Sequence, residues 1–204
     1  MFKIRQILNY AKGTPMKYDI TKPLTKNSKR TLEAFCREMF VLLSEKSFEE
    51  ITVGQLCEFA QYPRATFYNY FDDKYDLLNY CWQTLADQVG FGEYHHSKEN
   101  EMLYLYFDRI YDFTKQNDKI IHKVILHNND VGYMFSSFRN FLNNKMYMIF
   151  KNCPEAIQKD IPNDLLADHY SNTLFLVWQW VSIKNTSCTK EQAHKYLKLL
   201  ISQN

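Results

Sequence analysis

The feature that most restricts the fold is a dense run of helix signals between Thr52 and Asp73. Thr52-Val53-Gly54-Gln55 sets a threonine three residues before a glutamine. This is a capping box, in which each side chain satisfies a free backbone N–H of the other residue. It predicts a brief helix to about Phe59, with Val53, Leu56 and Cys57 turned inward. Ala60-Gln61-Tyr62-Pro63 then breaks that helix. Tyr62 precedes a proline and is biased away from helical geometry, whereas Pro63 suits the first turn of a new helix. The new helix, residues 64–71, is short, and Asp72 and Asp73 favour the positive N-terminus of another.

Ahead of this run, Leu32, Phe35, Cys36, Met39, Phe40, Leu42 and Leu43 recur at spacings of three and four from about Lys26 onward, the mark of one amphipathic helix. Beyond Gly90-Phe91-Gly92, helical periodicity returns over residues 98–116, 119–127, 131–151, 163–183 and 189–201, and residues 153–162 form a loop with two prolines. Thr189 with Gln192 repeats the capping box. With five glycines, five prolines and no strand-like alternation, the class expected is all-α. A basic arm, residues 1–24, would precede a three-helix helix-turn-helix domain, residues 25–80. A C-terminal helical domain for effector binding and dimerisation, residues 81–204, would follow.

Composition narrows the function classes. The cysteines Cys36, Cys57, Cys81, Cys153 and Cys188 are odd in number and far apart, which argues against a disulfide framework or a zinc site and fits a reducing cytosol. No run approaches the roughly 18 apolar residues that span a bilayer. A cytoplasmic protein without membrane association is expected. His95-His96 fall in an expected loop, and His122 and His127 lie five apart, which does not stack ligands on one helix face, so no metal site is expected. There is no nucleophile–base pair, glycine-rich phosphate loop or paired inward carboxylate, so neither an enzyme nor a cofactor is expected. Net charge is only +2, but residues 1–30 hold eight basic residues against Asp19 alone. A basic end on a neutral body suits a polyanion partner.

Two short helices across a four-residue turn, behind a longer one, form the unit that presents a helix to the major groove. Phe67 and Phe71 would anchor that helix on Phe35, Met39, Leu56 and Leu77, leaving Arg64, Ala65, Thr66, Tyr68 and Asn69 outward. Arginine can read guanine and asparagine adenine, alanine and threonine can touch a thymine methyl, and tyrosine can reach a phosphate. The stretch from Thr52 to Leu78 resembles the DNA-binding signature of the TetR family. The strongest matches are Thr66-Phe67-Tyr68, Tyr70-Phe71, Lys74 and Leu77-Leu78. Arg64-Ala65-Thr66-Phe67-Tyr68 with Asp73-Lys74-Tyr75-Asp76-Leu77 is similar to the subgroup that includes regulators of dihydroxyacetone kinase genes.

The resemblance implies that Thr52, Tyr68 and Lys74 meet phosphates, that Arg64, Ala65, Thr66 and Asn69 face base edges, and that Tyr70 lies near the DNA backbone. Two positions depart from the family pattern. Gln61 stands where glycine is usual, at a cost if the turn needs a left-handed residue, and Pro63 replaces a capping hydroxyl.

The resemblance also implies a homodimer on double-stranded, palindromic operator DNA, acting as a repressor that answers to a small apolar or aromatic effector. A helix as apolar around its girth as residues 163–183 must be buried on more than one side. Leu166, Tyr170, Leu174, Val177, Trp178 and Val181, with Tyr196 and Leu200 of the last helix, are therefore expected in a dimer bundle. The alternative is a co-regulator or activator whose C-terminal domain senses a partner protein.

Overall fold

Thr25 begins the first helix. Its backbone is extended and its hydroxyl accepts the Ser28 N–H at 3.1 Å, which satisfies one of the free donors at a helix start. The computed structural model describes residues 17–18, 25–90, 99–152, 161–184 and 187–201; most of the basic arm, His95-His96 and most of the 153–162 loop lie outside them. Among the described residues there are nine α-helices and no strand, the all-α architecture the sequence pattern predicts. They are α1 (Lys26–Leu43), α2 (Val53–Ala60), α3 (Arg64–Tyr70), α4 (Lys74–Gln88), α5 (Glu99–Gln116), α6 (Asp118–His127), α7 (Tyr133–Asn152), α8 (Asn163–Gln179) and α9 (Lys190–Ile201). A 3-10 turn, Phe48–Glu50, follows α1, and a wider π-helical turn, Trp180–Lys184, continues α8, where the sequence suggests unbroken α-helix.

The chain forms two compact units that do not follow chain order: Met1–Leu85 with Lys119–Ser137, and Ala86–Asp118 with Phe138–Asn204. In the first unit, Leu32, Phe35, Cys36 and Met39 of α1 are buried against the α2–α4 run, as the three-and-four spacing requires. The Phe35 ring meets Phe67 edge-on at 5.3 Å and Phe71 at 6.3 Å, so three aromatic rings lock α3 to α1. Phe48 is fully buried and stacks on Tyr133 at 5.3 Å. Asn128 satisfies the polar groups around it: its Oδ1 accepts the Phe48 N–H at 2.9 Å and its Nδ2 donates to the Leu43 carbonyl at 3.0 Å. A buried amide with both ends bonded costs little and fixes geometry.

In the second unit, Trp178 donates to Thr114 Oγ1 at 2.8 Å and the Tyr111 hydroxyl to the Cys188 carbonyl at 2.9 Å, tying α8 and the start of α9 to α5. The Thr189–Gln192 box forms as read, with Thr189 N–H donating to Gln192 Oε1 at 3.0 Å. No described helix is long and apolar enough to cross a membrane.

Candidate nucleic-acid interface

Both halves of the Thr52–Gln55 box are present: Gln55 N–H donates to Thr52 Oγ1 at 3.2 Å and Thr52 N–H to Gln55 Oε1 at 3.1 Å. α2 ends in a Schellman motif. Tyr62 N–H reaches back to the Cys57 carbonyl at 3.0 Å and Gln61 N–H to the Glu58 carbonyl at 3.2 Å. The motif needs a left-handed residue, and Gln61 supplies it at φ 57°, ψ 39°. Gln61 is the one non-glycine residue at positive φ among the described residues. Pro63 holds an extended backbone just before α3 and offers no side-chain cap; its carbonyl takes the Thr66 N–H at 2.9 Å.

α3 divides as its spacing predicts. Phe67 is fully buried, Arg64, Ala65, Tyr68 and Asn69 are exposed, and Thr66 and Tyr70 are half-buried. Tyr68 is 47% exposed, so its hydroxyl has room for a partner outside the chain. The Tyr70 hydroxyl, in contrast, already donates to Ser28 Oγ at 3.2 Å. Arg64 leans across the start of α2: a Cβ at Gly54 would stand 2.8 Å from Arg64 Nη2 and 3.7 Å from Thr52 Oγ1. Glycine at position 54 thus leaves the space that brings Arg64 and the exposed Thr52 to one patch. That role needs a contact between two helices, which spacing within either one does not reveal.

Lys74 stands apart from the other candidates. Its ammonium donates to the carbonyls of Phe48, Glu49 and Ile51 at 2.9, 2.9 and 2.8 Å and lies 4.7 Å from the Phe48 ring centre. Three acceptors use its three hydrogens. Burial pushes its pKa down, opposed by Glu49 and Asp73. Lys74 therefore ties the first turn of α4 to the 3-10 turn. At the same junction Asp73 Oδ1 accepts the N–H groups of Tyr75 and Asp76, both at 2.9 Å, the cap expected of it.

On the second candidate surface the structure redistributes the residues. Leu166, Tyr170, Leu174, Val177, Trp178 and Val181 are buried within the single chain, with Phe150 against Tyr170 at 5.0 Å and Phe138 against Trp178 at 5.9 Å. They contribute to the core of their own unit. Tyr196 and Leu200 are exposed, together with Leu165, Leu176, Ile183 and Leu199.

Residues 40–81 match the family described as bacterial regulatory proteins, tetR family. Among solved structures, the chain is similar to one described as a TetR-family transcriptional regulator from Syntrophomonas wolfei str. Goettingen. The identity is 17%, the likeness covers 88% of this chain and 98% of that one, and the TM-score is 0.62. None of the curated proteins compared matches the chain. Residues 40–81 are thus similar to bacterial regulatory proteins of the tetR family, and the chain shares the fold of the Syntrophomonas wolfei protein.

Proposed function

We propose that the protein is a sequence-specific DNA-binding transcriptional regulator that acts as a homodimer on a palindromic operator. The observation that carries this reading is α3 itself. Phe67 fixes the helix from behind, while Arg64, Ala65, Tyr68 and Asn69 stand exposed on the compact first unit. Arg64, Ala65, Thr66 and Asn69 are assigned to base edges, Tyr68 and Thr52 to phosphates, and Tyr70 to the rim of the groove. Lys74 is assigned a positioning part, because carbonyls hold its ammonium.

The homodimer is supported by the outward faces of α8 and α9. Leu176 is 55% and Leu199 50% exposed, with Leu165, Tyr196 and Leu200 exposed on the same two helices and Ile183 on the turn that continues α8. Apolar surface shared by adjacent helices fits a self-complementary two-fold contact. That symmetry would set two α3 helices on half-sites one DNA turn, or a multiple, apart. Regulation by a small effector, with repression as the ground state, is assigned to residues 81–204. It is supported by Asp108 Oδ1 and His194 Nε2, buried atoms that no described group hydrogen-bonds. The likeness to regulators of dihydroxyacetone kinase genes rests on Arg64–Tyr68 and Asp73–Leu77.

The test is a gel-shift titration against the chain's own upstream DNA at several salt concentrations. Preference over random duplex is expected, Tyr68→Phe should weaken binding evenly across sequences, and Arg64→Ala should relax discrimination at one base position. Equal affinity for random duplex would refute the operator reading.

A further inference from the structure

The end of α3 has an unmet acceptor that its own helix does not satisfy. In a continuing helix the Tyr68 carbonyl would take the N–H of Asp72. Here Asp72 N–H turns to Asp76 Oδ2 at 3.0 Å instead. The group that reaches Tyr68 comes from far away in sequence: Lys17 Nζ donates to that carbonyl at 2.6 Å. The same ammonium lies 3.2 Å from Asp72 Oδ1, and the Lys17 backbone N–H donates to Asp76 Oδ2 at 3.3 Å. Beside it, the Tyr18 ring packs on Tyr70 of α3 at 5.8 Å and edge-on to Tyr80 of α4 at 5.9 Å.

We infer that Lys17 and Tyr18 form a clip that sets the C-terminal end of the recognition helix against the start of α4, making them positioning residues for DNA reading. The physical logic is local. A cation at a helix C-terminus meets the negative end of the dipole and bonds its last carbonyls. Lys17 does this for α3 while offsetting the charge of Asp72, one of three aspartates within five residues. The aromatic contacts then span the joint, Tyr70 on one side and Tyr80 on the other. α3 has only seven residues, too few to hold its own shape, so its last turn depends on such outside contacts. Lys17 acts on the helix and not on the DNA. This inference rests on α3 being the element that reads DNA.

The experiment uses the full chain carrying Lys17→Met, which keeps the aliphatic stem and removes the ammonium, and Lys17→Arg as the rescue. Two readouts are taken. In hydrogen exchange, Lys17→Met should speed the amides of Tyr70 and Phe71 by roughly three- to tenfold and leave α1 unchanged, with Lys17→Arg close to wild type. In salt-titrated gel shifts, affinity for the preferred operator should fall roughly tenfold, with binding to random duplex and the salt slope unchanged. Unchanged exchange at the end of α3 overturns the clip. So does a salt slope smaller by about 0.9, which would put Lys17 on a phosphate. If the wild-type chain shows no operator preference while Lys17→Met still speeds exchange, the clip stands and the DNA reading of α3 fails.

Discussion

Gln61→Gly isolates one physical cost. The Schellman motif forces position 61 to φ 57° and ψ 39°, where Gln61 makes the turn that glycine usually makes. For an L-residue that conformation costs roughly 1–2 kcal/mol, because Cβ crowds the following carbonyl oxygen. Glycine escapes the crowding, yet its freer unfolded chain returns roughly 0.5–1 kcal/mol of the gain. The net expectation is about 0.5–1 kcal/mol of added stability. In a chain of 204 residues that is a rise of about 1–4 °C in midpoint. The assay is thermal and urea unfolding followed by far-UV circular dichroism, with Gln61→Val as the opposite control. A β-branched side chain resists positive φ, so that variant should lose about 1 kcal/mol or more. If the glycine variant gains nothing and the valine variant loses nothing, the turn does not hold its left-handed residue and the account of α2–α3 geometry is wrong.

Lys74→Met removes the donors to three carbonyls and should destabilise the first unit by about 2–3 kcal/mol, read as a lower urea midpoint; an unchanged midpoint would place the ammonium in solvent. Cys36, Cys57, Cys81 and Cys188 are buried, so an aromatic disulfide reagent should label them only on unfolding. Burial, and then the Cys36 sulfur, push the Cys81 thiol above the ordinary 9.0; the stability this raised pKa contributes is complete below 9.0 and is lost as pH climbs beyond it. A native midpoint that held steady or rose in that range would contradict the shift. Leu176→Glu with Leu199→Glu should convert a dimeric mass in light scattering to that of one chain; a variant that keeps the dimer moves the contact elsewhere.

The sequence is most informative where cause and effect are local. Capping boxes at Thr52 and Thr189 need only residues three apart, and both form with both bonds in place. Phe67 and Phe71 four apart predict one inward face, and both are fully buried. Gln61 is suspect from residue type alone, and its left-handed backbone follows. What escapes are roles set by polar or close contacts between residues distant in sequence. Asn128 bonds Phe48 and Leu43 from about eighty residues away, Lys17 reaches Tyr68 across fifty-one, and Gly54 matters because Arg64 leans over it. Lys74 shows the same limit from the other side. A basic residue near α3 carries the same letter whether its hydrogens go to phosphate or to three carbonyls of its own chain.

α8 shows why an apolar surface cannot be assigned from sequence alone. Periodicity locates a buried face by contrast with a polar one, and a helix apolar almost all round gives no contrast. The strongest hydrophobes, among them Leu174 and Trp178, are therefore expected in a seam between copies, although the same pattern suits a core. The structure divides them by geometry. Trp178 must place its indole N–H on a partner, and Thr114 of α5 is that partner, so this side of α8 faces inward. Leu165 and Leu176 are eleven residues apart, about three helical turns, which puts them on one stripe. That stripe is exposed, together with Leu199 and Leu200 of α9. Apolar surface left over after the core is filled is the part of α8 that the proposed two-fold contact would use, and contacts with α5, not the periodicity of α8, single it out.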